Sequence, residues 1–417
     1  MNDLERALVE LSRVRSLHEP VVSLYLDVHW GEVQRREQAL LFVREASRRV
    51  LGHTLPDGAG MPGLRSTLAR IEERVGTLTR SEVPAEERGL ALFACEERRL
   101  WREVRTGSPL HDALETDGFP HLLQLARLRG EGAPAVVVVT SARGAEVYRM
   151  ELGALALEET LTGVGPHEDD VKQNAGTGKP GRNYEREAKD ERHEENVERR
   201  NRQVAAREAA ALFDAEPRSA VVLVGTAGNV AALERELPER VRARVVARFP
   251  RPRAWEKEGG GRRVGVTARA GTALAGAEER EEHALVDHLV GEALRGGLAV
   301  LGPADVVSAV NQRRVHQLVL AEDLHGNGWA CDGCDAMGSN AEDAEQCPYC
   351  GGEVHVLLSL AEALVARTLS EGGEVAVVAP ERKLASYRGV GAFLRQAAAS
   401  GVRGAGAGRA STPGAGR

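Results

Sequence analysis

Four cysteines near the C-terminus have the types and spacing of a metal site. They form two Cys-x-x-Cys pairs, Cys331 with Cys334 and Cys347 with Cys350, with twelve residues between the pairs. A tight turn brings residues i and i+3 together, so each pair can direct two thiolates at one ion. Four thiolates at this spacing predict a tetrahedral Zn²⁺ site, and Gly351 with Gly352 lets the backbone bend past the second pair.

Two other uses of the cysteines compete with zinc. Disulfides are disfavoured, because only five cysteines occur in 417 residues and no secretory signal is seen at the start of the sequence. A redox dithiol needs one Cys-x-x-Cys in a thioredoxin-like unit, whereas this chain has two. Since four thiolates leave no coordination position open for water, we expect the zinc to be structural rather than catalytic.

Composition limits the classes of protein that the chain can belong to. No apolar run is long enough to span a membrane, and the sequence begins with an acidic amphipathic pattern, so we expect a soluble, cytoplasmic protein. The formal net charge of −7 argues against a general coat for nucleic acid, and an aromatic content of 4% argues against base-stacking platforms. Cys95 lies in an apolar run and is expected to be a buried strand thiol.

Alternating strand and helix patterns predict an α/β (α+β) multidomain protein. The expected third domain is a small α/β sandwich with an inserted zinc ribbon. The predicted divisions are a first domain 1–130, a middle domain 133–250, a third domain 264–399 with the ribbon at 329–353, and a disordered tail 400–417.

The middle domain is expected to contain a long charged helix from Tyr184 to Phe213. Its predicted apolar seam consists of Val197, Val204 and Ala211, and Glu198 with Arg202 is one of its predicted i,i+4 ion pairs. After it we expect a linker from Phe249 to Arg263, a helix beginning at Glu278, and a helix from Leu357 to Leu369 beyond the cysteines.

The order of these parts resembles the archaeo-eukaryotic class-I release factor and pelota-like family. The resemblance spans about 15 to 396 and rests on motifs in all three domains. These are Val22-Ser23-Leu24-Tyr25-Leu26-Asp27 in the first, Val222-Leu223-Val224-Gly225-Thr226 in the middle one, and Gly302-Pro303-Ala304-Asp305-Val306, Val315-His316-Gln317-Leu318, the ribbon and Gly389-Val390-Gly391-Ala392-Phe393 in the third.

Two motifs of that family are missing. Release factors carry Gly-Gly-Gln at the tip of the middle domain, where it positions water at the peptidyl-tRNA ester. No Gly-Gly-Gln occurs in this sequence, and Gln173-Asn174-Ala175-Gly176 has the reverse order. The stop-codon-reading Asn-Ile-Lys-Ser is also absent from the first domain. The resemblance therefore implies no catalytic residues and favours a protein that is not an enzyme.

The loop before the long helix contains the candidate RNA contacts. Lys179, Arg182 and Arg186 are predicted to bind phosphates of ribosomal RNA at this tip. The alternative is a solvated connector with no contact to RNA.

The resemblance implies a monomeric factor that binds the ribosomal A site. We expect it to act in ribosome hibernation or on stalled ribosomes, with a translational GTPase as a further expected partner and no membrane partner. One alternative is a ribosome-rescue peptidyl-tRNA hydrolase or peptide chain release factor. A second is a zinc-bearing protein–protein adaptor.

Overall fold

The computed structural model describes most of the chain, and it forms two compact units. The described residues are 3–16, 18–28, 33–54, 61–80, 88–130, 134–141, 144–151, 154–162, 183–217, 219–250, 261–341 and 345–395. The first unit is Met1–Leu285 with Ala376–Ala379, and the second is Val286–Val375 with Pro380–Arg417. In the described part of the chain, no helix is long and apolar enough to cross a membrane. The predicted tail 400–417 lies outside the described residues.

The first unit begins with an antiparallel sheet. Its elements are α1 (Asp3–Ser12), β1 (Val21–Asp27), α2 (Val33–Thr54), α3 (Pro62–Leu78), β2 (Gly89–Cys95), β3 (Leu100–Thr106), β4 (Ala113–Asp117) and α4 (Leu123–Gly130). The strand order is β3-β2-β1-β4. Leu24 pairs with Leu92 at the centre, and helices α2 and α3 bury this face with residues such as Val43 and Ile71. Because every residue of β2 is buried, the prediction that Cys95 is a buried strand thiol is confirmed.

A second, mixed sheet follows in the same unit. Its elements are β5 (Ala135–Thr140), β6 (Gly144–Glu151), β7 (Ala154–Thr162), α5 (Asn183–Ala215), β8 (Ala220–Val224), α6 (Ala227–Glu236), α7 (Glu239–Arg242) and β9 (Val245–Phe249). The strand order is β7-β6-β5-β8-β9, with β5, β8 and β9 parallel. Val136 and Val138 face α5, whereas Val137 and Val139 face α8 (Gly261–Leu294). Both faces are covered, which explains the continuous valine run of β5.

Three details of this region differ from the sequence predictions. The helix predicted from Glu278 begins at Gly261, inside the predicted linker, because Val266 and Ala270 pack onto the second sheet. Strand β7 was not predicted. Of the predicted seam of α5, Val204 is half-buried and Ala211 is exposed, and Val197 lies where only the backbone is described. The buried positions in the described part of α5 are Ala205, Ala206, Ala209, Ala210 and Phe213.

The second unit contains a four-stranded sheet and a small three-stranded one. Its elements are β10 (Ala299–Leu301), α9 (Pro303–Asn311), β11 (Val315–Ala321), β12 (Gly328–Cys331), β13 (Met337–Gly338), β14 (Val354–Leu357), α10 (Leu360–Ser370), β15 (Glu374–Val378), α11 (Arg382–Ala385) and β16 (Val390–Leu394). The strand orders are β10-β16-β11-β15 and β13-β12-β14. The helix predicted from Leu357 begins at Leu360, because β14 takes up the preceding residues.

The predicted fold class is confirmed, since the chain is a multidomain α/β protein with several sheets. The small sheet is inserted in sequence between β11 and β15, where the ribbon was expected. The division of the chain into three domains stays a prediction.

Candidate metal centre

The first pair of cysteines lies at the end of β12. The backbone N–H of Cys331 donates to the carbonyl of Ala336 over 2.9 Å, and the N–H of Asp335 donates back to the carbonyl of Cys331 over 3.1 Å. Asp335 adopts the left-handed region, with φ of 57°. This closed turn brings Cys334 back beside Cys331.

The second pair forms a similar turn. The N–H of Gly351 donates to the carbonyl of Cys347 over 2.8 Å, and the N–H of Cys347 donates to the carbonyl of Gly352 over 2.9 Å. Gly351 has φ of +73°, a conformation that glycine adopts without steric cost. The turn therefore depends on glycine directly after Cys350.

The two turns bring the four sulfurs into one cluster. The Sγ atoms of Cys331 and Cys350 are 3.4 Å apart, those of Cys334 and Cys347 are 3.6 Å apart, and all four lie within 4.8 Å of one another. A tetrahedral ion with metal–sulfur bonds of about 2.3 Å places its sulfurs about 3.8 Å apart. All five cysteines are free thiols. The donor set and its dimensions fit one tetrahedral metal ion.

The cluster has thiols of unequal acidity. Burial acts to raise the pKa of Cys347, but the backbone N–H groups of Tyr349 and Cys350 and the neighbouring thiols lower it to about 7. The N–H of Ala336 acts to lower the pKa of Cys334, but the thiol of Cys350 and burial raise it to about 12. A bound dication favours the thiolate form at every ligand, so metal binding displaces protons from the cluster.

Two glycines lie directly against the sulfurs. A Cβ atom added at Gly352 would lie 3.3 Å from the Sγ of Cys350 and 3.5 Å from that of Cys331. At Gly333 the corresponding distances to the same two atoms are 3.7 Å and 3.8 Å. The backbone at Gly352 therefore approaches the cluster more closely than a side chain allows without displacement.

The buried core around the cluster is small. Its buried members are Trp329, Cys331, Ala336 and Cys347, with Val354 packed against them. A Cβ at Gly338 would lie 2.0 Å from the indole Nε1 of Trp329, so the indole packs directly over the backbone there. With so few buried side chains, the ribbon lacks the apolar core that stabilises a larger domain.

Sequence reasoning missed two supports of this site. His355 Nδ1 lies 2.8 Å from the carboxylate of Asp332, which joins β14 to the first cysteine turn. The side chain of Asn311 at the end of α9 donates to the carbonyl of Met337 over 2.8 Å and accepts from its N–H over 3.0 Å. Both pairs are separated in sequence by residues with no spacing signal, so only the fold reveals them.

The structure does not test the predicted contacts with RNA. Lys179 and Arg182 lie outside the described residues, and Arg186 lies in α5 at a position where only the backbone is described. Their contact with phosphate stays a prediction. In the described part of α5, the predicted pair Glu198 with Arg202 forms, with 3.3 Å between the carboxylate and the guanidinium.

Comparison with protein families identifies the class of protein that the middle of the chain resembles. Residues 120–270 match the family model described as bacterial archaeo-eukaryotic release factor family 10. The matched stretch contains the second sheet and the helices α5 to α7, and it ends inside α8. The resemblance to the release-factor and pelota-like family that the sequence predicts is thereby confirmed.

Solved structures of this class are also similar to the chain. An archaeal translation termination factor, aRF1, is 15% identical, with 94% of this chain and 97% of that chain covered and a TM-score of 0.24. An archaeal Pelota, from a model of ribosome-bound Pelota and ABCE1, is 15% identical with coverages of 74% and 78% and a TM-score of 0.41. The S. cerevisiae protein Dom34 is 10% identical with coverages of 75% and 82% and a TM-score of 0.39. Comparison with curated protein sequences finds no match.

Proposed function

We propose that this protein is a translation factor that binds the A site of the ribosome and acts in ribosome hibernation or on stalled ribosomes. The observation that supports this proposal most strongly is the match of 120–270 to a bacterial release-factor family model. The matched stretch includes the loop and the long helix that carry the projecting tip in this family. We further propose a cytoplasmic location, and a translational GTPase as a partner.

The same proposal assigns no peptide release to the tip. Ester hydrolysis needs an ordered water and hydrogen-bond donors aimed at the developing oxyanion. The loop sequence Gly178-Lys179-Pro180-Gly181 has a proline, which lacks an N–H donor, and a bulky cation where the family keeps small residues. We therefore propose binding of the ribosome without codon-specific release of the nascent chain.

We propose that Lys179, Arg182 and Arg186 contact phosphates of ribosomal RNA. Between Asp170 and Glu185 the sequence has three basic residues, Lys172, Lys179 and Arg182, and no acidic one, so this stretch before the helix is cationic. Phosphate contacts fix the position of a protein on RNA without reading its sequence. This matches a factor that occupies the A site whatever codon is present.

We also propose that the ion of the cysteine cluster is Zn²⁺. Four thiolates in tetrahedral proximity form the donor set that zinc prefers in structural sites. With all four coordination positions filled by protein, the metal supplies folding energy to the ribbon and no chemistry to a substrate. The ligands are Cys331, Cys334, Cys347 and Cys350.

The test of the proposed function is co-sedimentation with ribosomes over a range of salt concentrations. Each phosphate contact adds about one unit to the slope of log affinity against log salt. The double variant Lys179→Ala with Arg182→Ala should weaken binding and lower this slope by up to about two units. The matched control is Arg200→Ala with Arg207→Ala, which removes the same charge from exposed positions of α5 and should leave the slope unchanged.

Two outcomes contradict the proposal. If the wild-type protein does not sediment with ribosomes at low salt, the ribosome is not its partner. If labelled nascent peptide is released from loaded ribosomes well above the spontaneous rate, and changes between Gln173 and Asn183 abolish the release, the protein is a peptidyl-tRNA hydrolase instead.

A further inference from the structure

The first unit contains a cavity that the proposed ribosomal function does not use. It has a volume of about 270 Å³ and lies between α3 and the turn that joins β2 to β3. The residues that give it its chemistry are Ser66 and Arg70 on α3, Glu96 and Arg99 in the turn, and Leu100 and Trp101 on β3. This volume is just below the range of about 300–1,000 Å³ that is typical of small-molecule sites.

A cation–π contact and a set of hydrogen bonds hold one wall of the cavity in place. The guanidinium of Arg70 lies over the ring of Trp101, with its Cζ 4.1 Å from the ring centroid. The indole N–H of Trp101 donates to Glu103 over 3.2 Å, and Glu103 accepts two bonds from Arg74, at 2.7 Å and 2.9 Å. Because Arg74 engages both carboxylate oxygens, Glu103 positions the indole but does not neutralise Arg70.

The second nearby carboxylate is also engaged. Glu97 accepts bonds from the hydroxyl of Ser16 over 2.8 Å and from the backbone N–H groups of His18 and Glu19 over 3.2 Å and 2.9 Å. The N–H of Glu19, then the Ser16 hydroxyl, hold the pKa of Glu97 below its usual range, so it is ionised but does not line the cavity. Among the described residues, neither Arg70 nor Arg99 has an ion pair, and Glu96 is the acid that lines the cavity. The cavity is therefore cationic.

The conformation of Arg99 is a second, independent feature. Its φ of +50° lies in the left-handed region, which few non-glycine residues adopt. Such a conformation costs on the order of 1 kcal/mol for a residue with a Cβ, and glycine is the residue that avoids this cost. Arg99 in this turn lines the same cavity as Arg70.

We propose that this cavity binds a nucleoside monophosphate. The phosphate lies between the guanidinium groups of Arg70 and Arg99, near the Ser66 hydroxyl, while the base packs against Leu100 and the edge of the Trp101 indole, whose face Arg70 covers. Arginine suits both parts of this ligand, because its planar fork binds phosphate and its face stacks on aromatic rings. Small size and a cationic wall beside an apolar one favour such a ligand over a larger cofactor.

The proposal is tested on the full-length protein by isothermal titration with AMP, GMP, CMP and UMP, and with the four corresponding nucleosides as ligands without phosphate. We expect one site for at least one of the four nucleotides, and binding of the corresponding nucleoside at least tenfold weaker. Arg70→Gln and Arg99→Gly should each weaken nucleotide binding at least tenfold. Glycine fits the φ of position 99, so loss of binding in that variant does not come from misfolding, and its melting temperature should not fall.

Matched controls separate the site from a general effect of charge. Arg65→Gln on α3 and Arg98→Gln in the turn remove the same charge from exposed positions that do not line the cavity, and both should bind as the wild type does. The proposal is overturned if no nucleotide binds, or if the controls lose as much affinity as Arg70→Gln and Arg99→Gly. It is also overturned if these two variants lose ribosome binding and wild type binds no nucleotide, since the arginines then contact RNA.

Discussion

The metal centre and the long helix α5 are held in place by different kinds of interaction. In the described part of the ribbon, the buried core cluster has four residues, two of which are cysteines of the metal site. The C-terminal half of α5 instead packs five buried side chains onto a five-stranded sheet, beside two further helices. We therefore expect the ribbon to depend on a bound metal ion and α5 on apolar burial, so single substitutions can separate the two.

The largest effect is expected from loss of one thiolate. Cys347→Ser should reduce the metal content below half an equivalent and unfold the ribbon, because metal binding supplies on the order of 10 kcal/mol of folding energy in small zinc modules. Elemental analysis and hydrogen exchange measure both results. The control Cys95→Ser changes a buried thiol of the first unit and should retain one equivalent of zinc. Full metal content in Cys347→Ser would show that the cluster is not the metal site.

Truncation of a buried side chain of α5 should lower the stability of the first unit and leave the metal content unchanged. Phe213 is 4% exposed, so Phe213→Ala removes a buried ring and should lower the free energy of unfolding of the first unit by about 3–5 kcal/mol. The zinc content should remain at one equivalent. Urea denaturation followed by circular dichroism measures the loss. An unchanged midpoint, or a loss of zinc, would contradict the separation of the two regions.

A smaller effect, on zinc affinity, is expected from a substitution at Gly352, where the backbone approaches the sulfurs. Gly352→Ala places a Cβ 3.3 Å from the Sγ of Cys350 and should weaken zinc binding by about tenfold, or about 1.4 kcal/mol. Competition with a chelator measures the affinity. The control is Gly326→Ala, because a Cβ there meets no atom within 4 Å. Equal affinities in the two variants would show that the close approach at Gly352 has no energetic consequence.

The smallest effect is expected on the surface of α5. The Glu198 and Arg202 pair is a half-buried i,i+4 ion pair at 3.3 Å on a helix, so Glu198→Gln should cost about 0.3–0.5 kcal/mol. The difference should disappear in 1 M salt, where the Debye length is about 3 Å. Thermal melts at low and high salt measure it. A loss as large as that of Phe213→Ala would mean that charge pairs rather than burial hold α5.

Sequence reasoning succeeded where the signal is local. The spacing of four cysteines predicted the cluster. The continuous valine run of β5 is likewise a local signal, typical of a strand buried on both faces. Several of the strands that it missed, β4, β7, β9 and β14 among them, are at sheet edges. Edge strands are buried on fewer sides, so their apolar alternation is weaker and was not distinguished from loop.

The prediction of the apolar seam of α5 differed from the structure for another reason. The prediction chose the valines and one alanine at heptad spacing, but the sheet below accommodates a wide stripe of small residues ending at Phe213. Alanine gives almost no periodic signal, because it is apolar and also common on helix surfaces. The pairing of Asp332 with His355 and the presence of Arg70 and Arg99 in one cavity depend on tertiary contacts that no sequence spacing encodes.

The central claim is that the protein occupies the ribosomal A site, and electron cryomicroscopy of ribosomes isolated with the tagged protein tests it most directly. The account predicts density for the chain in the A site, with the loop around Lys179 and Arg182 at the peptidyl-transferase centre and the nascent chain still attached to tRNA. Density only outside the A site, or an A site that contains tRNA while the protein is bound elsewhere, would contradict it.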